Sequence, residues 1–258
     1  MEKQPGFFDF AAEVGLTKHL GGLTATDALL DLCHIGQGAR ILDVGCGVGV
    51  TPAYIARKYR CKVVGVDISE KMVQRSEERA RRDGLGDMVR FKQADAQDLP
   101  FGPDEFDVVI TESVTSFPED KQKAVSEYAR VTKPSGYVGL NESVWLKVPP
   151  PPDITAWVSQ DLGANVQPLT ADAWVALLER AGLREIVATT FMVDTREEER
   201  AIVRRYGLGQ VLRITGRMLS LYSRSPAYRS FVKSVQKSGV TPANLREYFG
   251  YGLFVGRK

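Results

Sequence analysis

Acidic residues recur in this chain where apolar runs end, and their spacing defines the chemistry open to it. Asp43 lies in Ile41-Leu42-Asp43-Val44-Gly45-Cys46-Gly47-Val48-Gly49, where an apolar run breaks into three alternate glycines. Glycine accepts positive φ and has no Cβ, so a ligand can lie against the backbone of such a turn. Asp67 closes Val63-Val64-Gly65-Val66-Asp67, about 20 residues beyond the glycines, the separation expected of a carboxylate that accepts ribose hydroxyls. A nucleoside ligand follows. A dinucleotide does not, because a Gly-x-Gly-x-x-Gly fingerprint counted from Gly45 meets Val50 at its sixth position, and counted from Gly47 it meets Pro52. For proton transfer the candidates are His19, Glu112 and Glu142, a histidine that titrates near neutrality and two carboxylates at strand ends. The alternatives are a histidine packed on an apolar surface and a solvated carboxylate. Cys46 reads as a small buried filler, and His34 as a residue favouring the carbonyl end of its helix.

These residues need elements to hold them. Arg40 to Val44 reads as a strand, and Thr51-Pro52 as the cap and first residue of a helix to Tyr59. Before them, a short helix fits between Gly6 and Gly22, and Thr24 with Asp27 caps a second helix through Cys33. A strand Lys62 to Asp67 follows, then a helix capped by Ser69 and running to Asp83, and a third strand Met88 to Ala94 ending at Asp95. Phe106 to Thr111 makes a fourth strand with Glu112-Ser113 at its end. Pro118 opens a helix to Val131, Lys133-Pro134-Ser135-Gly136 is a turn, and Tyr137 to Asn141 is a fifth strand ending at Glu142. Pro149 to Pro152 is a stiff connector. Helices Asp153 to Leu162 and Ala171 to Ala181, the latter capped by Thr170, precede strands Arg184 to Val193 and Tyr248 to Gly256. This alternation predicts an α/β fold: a doubly wound, mostly parallel, seven-stranded Rossmann-like sheet with helices on both faces and a helical lid or insertion. Sites on such sheets lie at the carboxyl ends of the strands, where Asp43, Asp67, Asp95, Glu112 and Glu142 all fall.

At 258 residues the chain suits one α/β domain. Within it, residues 1–35 read as an N-terminal helical lid, 36–148 as a cofactor-binding core and 196–247 as a basic helical insertion before the last strand. No apolar run approaches the ~20 residues needed to span a bilayer, and the first residues do not begin a signal peptide, so a cytoplasmic location is expected. Three cysteines, in neither metal nor disulfide spacing, fit a reducing compartment, and no metal is expected. The net charge of +2 is small but uneven, since no Asp or Glu occurs between Arg200 and Arg246. Leu208, Val211, Leu212, Thr215, Leu219 and Tyr222 fall on one side of a helix there, with Arg213, Arg217 and Arg224 on another. That pattern suits a lid with solvated arginines. It equally suits attraction to an anionic acceptor, a transient contact with a membrane surface, or pairing with a second copy as a homodimer; nucleic acid comes last.

From Arg40 to Gly136 the sequence resembles the class I S-adenosylmethionine-dependent methyltransferases, whose first motif matches Asp43-x-Gly45-x-Gly47-x-Gly49. The resemblance implies that Gly45, Cys46 and Gly47 pass beneath the methionine moiety of S-adenosylmethionine and that Asp43 anchors its ammonium. It implies that Asp67 accepts both ribose hydroxyls, that Ile68 and Met72 lie beside the nucleoside, and that Asp95-Ala96 meets the adenine. Glu112 and Ser113 fall where the family brings donor and acceptor together, and His19 in a segment that relatives fold over the cofactor. Ser135 departs from the glycine common in relatives. The fourth strand ends in Thr111-Glu112-Ser113-Val114, without the Pro-Pro-aromatic tetrapeptide of enzymes that methylate base amines. Asp95-Ala96-Gln97-Asp98-Leu99-Pro100-Phe101 looks most like the branch acting on small molecules such as quinones and sterols. The expected reaction moves a methyl group by in-line displacement to a small-molecule acceptor of aromatic, lipid-like or anionic character, leaving S-adenosylhomocysteine. The competing readings are a non-catalytic binding module for the same cofactor and a nucleotide-dependent oxidoreductase.

Overall fold

A computed structural model describes residues 7–161, 166–193, 202–237 and 241–258. The helix end at Leu162 and the insertion's first residues, 196–201, lie outside the described residues. Seven strands, β1 (Arg40–Val44), β2 (Lys62–Asp67), β3 (Val89–Gln93), β4 (Phe106–Glu112), β5 (Thr132–Trp145), β6 (Arg184–Met192) and β7 (Phe249–Arg257), form one sheet in the order β3-β2-β1-β4-β5-β7-β6. β1 to β5 pair in parallel, and β7 runs antiparallel to both β5 and β6.

Successive side chains of a strand point to opposite faces, so each strand serves two cores. Leu42, Val44, Val66 and Val109 pack under helix α5 (Lys121–Val131) and α7 (Ala171–Arg180), whose Tyr128, Trp174 and Leu178 are fully enclosed. On the other face Ile41, Val63, Val108 and Ile110 meet α2 (Gly22–Leu32) and α3 (Val50–Tyr59) through Leu29, Leu30, Ile55 and Ala56. Each large aliphatic side chain so buried contributes roughly 1.5–3 kcal/mol. Central strands held on both faces give the carboxyl edge of β1 and β4 a rigid base.

Several boundaries differ from the sequence expectation. α3 starts at Val50 after a left-handed Gly49, so Thr51 is inside the helix and its hydroxyl is free for another bond. α2 begins at Gly22 after a left-handed Gly21, and Asp27 serves Tyr54 and Lys58 instead of a cap. α5 begins at Lys121, where the Asp120 carboxylate accepts from Lys123 N at 2.8 Å, three residues beyond Pro118. The segment 133–136 is an irregularity inside β5, with Ser135 at φ 65°, where the register with β4 jumps from Phe106↔Thr132 to Val108↔Tyr137. β7 then pairs with β5 continuously to Trp145, which prolongs β5 past Asn141 and leaves Glu142 in mid-strand. Ser69 and Thr170 do cap α4 (Glu70–Arg82) and α7, accepting from Met72 N and Ala173 N.

Around this sheet lie α1 (Phe7–Val14), α6 (Pro152–Asp161) and the part of the insertion that is described: a helical segment at 202–206, α8 (Leu208–Arg224), α9 (Pro226–Lys237) and α10 (Leu245–Tyr248). α8 packs on α1 and the glycine loop through Ile214, with Val211, Met218 and Leu221 beside it. That face, spaced three, four and three residues apart, divides the single apolar side expected from sequence. Leu208, Leu212, Leu219 and Tyr222 stand outward, Leu208 and Leu212 each 72 % exposed. Phe10 of α1 stacks on Phe231 of α9 with ring centroids 4.7 Å apart. No described helix is long and apolar enough to cross a membrane.

Candidate active site

A cavity of about 390 Å³ opens at the carboxyl ends of β1, β2 and β4. Its floor is the loop between β1 and α3, where Gly45, Gly47 and Gly49 all have positive φ. Gly45 N and Cys46 N donate to Val66 O at 2.7 and 2.9 Å, which ties the loop to β2. A Cβ built on Gly45 would lie 2.2 Å from Val114, and one on Gly47 2.9 Å from Thr17. Both positions therefore require glycine twice over, for conformation and for space. Val114 and Thr17 themselves line the cavity, so the loop backbone is shared between these side chains and a ligand.

Asp67 accepts from Gly47 N and from Ser69 N, each at 2.9 Å, one bond per carboxylate oxygen. A carboxylate offers about four acceptor positions, so each oxygen keeps one for a ligand hydroxyl. Asp43 is 2 % exposed, and its Oδ2 has no hydrogen-bond partner. Burial pushes its carboxyl well above the usual range, and the nearby charge of Glu112 adds to the shift. An unpaired buried acceptor costs about 1–3 kcal/mol. A cationic donor from a ligand would remove that cost, and the ammonium of an amino-acid tail fits. Asp95 accepts from Gln97 N at 2.8 Å and faces the same cavity with Ala96, Ile68 and the buried Met72. The residues present thus suit an adenosyl nucleoside carrying an α-amino acid.

Glu112 ends β4 with both oxygens engaged, Oε1 accepting from Thr26 Oγ1 at 2.8 Å and Oε2 from Thr51 Oγ1 at 3.0 Å. His19 Nδ1 is 3.5 Å from Oε1. The imidazole also contacts Thr26 Oγ1 and Leu20 O, both at 3.3 Å. Burial, reinforced by Arg205, lowers the His19 pKa to about 4, against the opposing pull of Glu112, so the ring is neutral at physiological pH. Ser113, at φ 57°, accepts from Leu20 N at 3.3 Å and fastens the N-terminal segment over the site.

Glu142 sits elsewhere. It is completely buried and does not line the cavity; its oxygens accept from the backbone N–H of Val114, Thr115 and Ser116 and from Ser116 Oγ, at 2.6 to 3.2 Å. The expectation that it faces the acceptor space is corrected: β5 continues past it, and the loop after β4 folds onto its carboxylate. Every other candidate, His19, Asp43, Gly45, Cys46, Gly47, Asp67, Ile68, Met72, Asp95, Ala96, Glu112 and Ser113, lines the one cavity.

The structure adds residues that sequence reasoning missed. Tyr206 OH donates to Thr17 O at 2.7 Å and accepts from Thr17 N at 2.8 Å, joining the insertion to the N-terminal segment. Arg205 Nη2 donates to Thr51 Oγ1 at 3.1 Å, while its Nε and Nη1 are buried without partners. Phe8 and Phe117 meet edge to face at 5.2 Å and both line the cavity. Arg205 was visible as one member of a basic run, but nothing in its spacing marks it out. Among the described residues no three His, Cys, Asp or Glu side chains cluster as metal ligands.

A family profile described as "Methyltransferase domain" matches residues 42–140. The chain is 32 % identical over 189 residues to an uncharacterised protein of Haemophilus influenzae, covering 72 % of this chain and 75 % of that one. It is 35 % identical over 162 residues to the 27-O-demethylrifamycin SV methyltransferase of Amycolatopsis mediterranei, covering 61 % and 58 %. The match therefore spans little more than half the length of that enzyme. Among solved structures, the [4+2]-cyclase SpnF superposes with a TM-score of 0.72 at 22 % identity, covering 96 % of this chain and 91 % of that one. Phosphoethanolamine N-methyltransferase 2 of Haemonchus contortus, solved with S-adenosyl-L-methionine, does so with a TM-score of 0.71 at 20 % identity, covering 97 % and 56 %. At such identities these two likenesses concern the fold.

Proposed function

The chain belongs to the class I S-adenosylmethionine-dependent methyltransferases, and we propose that it acts on a small molecule, binding the donor through Asp43 and Asp67 and taking an apolar or aromatic acceptor in the same cavity. When bound, S-adenosylmethionine supplies a methyl group made electrophilic by its sulfonium. What falls to the protein is positioning and the exclusion of water, which in favourable intramolecular models is worth on the order of 7–11 kcal/mol.

In this reading Asp43 receives the ammonium and Asp67 the ribose hydroxyls, with Ile68, Met72, Asp95 and Ala96 around the nucleoside. On the same reading, residues 36–148 are the donor-binding core of a single domain, and the described parts of 1–35 and 196–247 cover it. The Phe8 and Phe117 pair, beside Pro118 and next to Ser113, favours a flat or greasy acceptor over a strongly hydrated one. A hydroxyl acceptor must lose a proton, and in this reading the neutral His19 takes it, with Glu112 at 3.5 Å stabilising the imidazolium that forms. The 27-O-demethylrifamycin SV methyltransferase, by its name, takes an O-demethyl substrate, and an oxygen acceptor suits this arrangement. Glu142 acts on positioning, by holding the loop that carries Val114.

The observation that carries the donor assignment is the pairing of Asp67, with an open acceptor on each oxygen, and Asp43, with a buried oxygen left unpaired. Calorimetry with S-adenosylhomocysteine tests it. Asp67→Ala should weaken binding at least about 10-fold, the loss of one or more charge-assisted hydrogen bonds. Unchanged affinity would show that the ribose is held elsewhere. Turnover against a panel of aromatic and lipid-like hydroxyl acceptors then identifies the acceptor class.

A further inference from the structure

We propose that Arg205, brought to the donor cavity by the insertion, binds the carboxylate at the methionine end of the donor, so that Arg205 and Asp43 together clamp an α-amino-acid zwitterion. The proposal rests on the donor reading above.

Two buried polar groups of opposite charge line this cavity with bonds unmade: Asp43 Oδ2, and Nε with Nη1 of Arg205. Arg205 draws the Asp43 carboxyl downward against its burial, yet the two do not pair. Three other acids of the cavity already accept within the protein: Glu112 from Thr26 and Thr51, Asp67 from two backbone amides, and Asp95 from Gln97. The guanidinium is aimed by its third nitrogen, because Nη2 donates to Thr51 Oγ1 and the Thr51 hydroxyl in turn donates to Glu112. An arginine fixed by Nη2 and left with unused N–H groups on Nε and Nη1 keeps charged donors for a carboxylate. A ligand with an ammonium and a carboxylate on one carbon would satisfy both orphans at once.

Three of the neighbouring arginines are already occupied. A second cleft of about 370 Å³ between α3, α4 and α8 shares Arg205 as a wall. There Arg57 and Arg82 pair with Asp83, and Arg79 Nε donates to Val48 O at 2.8 Å. Lys18 also lines the donor cavity, but it is exposed and is the rival cation that a test must separate.

The test compares S-adenosylhomocysteine with its decarboxylated analogue, the 3-aminopropylthio nucleoside, by calorimetry at pH 7. The wild-type protein should prefer the carboxylated ligand at least about 10-fold. Arg205→Gln should reduce that preference to within about threefold by weakening S-adenosylhomocysteine alone, Arg205→Lys should restore part of it, and Lys18→Gln should leave it intact. Retention of the preference in Arg205→Gln, equal weakening of both ligands, or its loss in Lys18→Gln instead would overturn the assignment. If wild type binds neither nucleoside, the donor reading itself falls; if wild type binds both and Arg205→Gln still discriminates, only this inference does.

Discussion

His19 shows how burial can turn a common residue into a specialised one. Enclosed by Thr26, Leu20 and Asn141, with Glu112 nearby, it has a pKa lowered to about 4. A histidine depressed in the folded state takes up its proton mainly on unfolding, so its contribution to stability is complete above pH 6.5 and is lost as pH falls towards 4. The slope within that window is at most about 1.4 kcal/mol per pH unit. Asp43, Asp67 and Glu142 are shifted upward by burial and oppose it, because each loses stability as pH rises. The effect is therefore isolated by denaturant unfolding of wild type and His19→Asn across pH 4 to 7: the stability difference should grow with pH to about 6.5 and then stay level. A difference that ignores pH would mean that the imidazole is not held neutral. At this scale the sequence was most informative where chemistry leaves little choice. Asp43 and Asp67 are recognisable because glycines and an apolar strand accompany them. Thr51 does not read as a first-turn residue, since Thr-Pro fits a cap followed by the first helical position as well as two places within the first turn, and its bond to Glu112 joins positions 61 residues apart that no local pattern connects.

The element that decides the site's shape is β5. Its partner β7 extends it to Trp145, which places Glu142 beneath the loop after β4 and sets Val114 against Gly45. Replacing Glu142 by Gln puts an amide N–H where an oxygen accepts from Ser116, leaving buried donors facing one another at a cost on the order of 2 kcal/mol. For a domain of this size that corresponds to roughly 4–8 °C in thermal midpoint. Calorimetric melting of Glu142→Gln should show this fall together with weaker binding of S-adenosylhomocysteine. A lower rate with an unchanged midpoint would instead return Glu142 to the chemistry. Strands β1, β2 and β4 were legible because they are short, apolar and bounded. The end of β5 was not, because the pairing that prolongs it comes from a strand more than a hundred residues later. The apolar faces of α8 were likewise run together, since two adjacent stripes at helical spacing look like one until α1 and the glycine loop cover only Val211, Ile214, Met218 and Leu221.

For the molecule as a whole, the uncovered stripe Leu208, Leu212, Leu219 and Tyr222 lies in a segment rich in arginine and free of acidic residues from 201 to 245. We propose that this face meets an anionic lipid surface from which a greasy acceptor is drawn. Sedimentation with phosphatidylserine-containing vesicles should carry the wild-type protein down, and pure phosphatidylcholine vesicles should not. Leu212→Glu with Leu219→Glu should abolish the effect while leaving S-adenosylhomocysteine affinity unchanged; equal sedimentation of both proteins would remove this face from the account, and failure of the wild type to sediment would remove lipid. The sheet order carries a different consequence. β7, synthesised after every other strand, sits between β5 and β6. Until it emerges from the ribosome, β5 keeps a bare outer edge and β6 has no neighbour to join, a state prone to misassembly. Biogenesis of this sheet therefore has its most vulnerable interval between the synthesis of β5 and that of β7, while the middle of the sheet is still open.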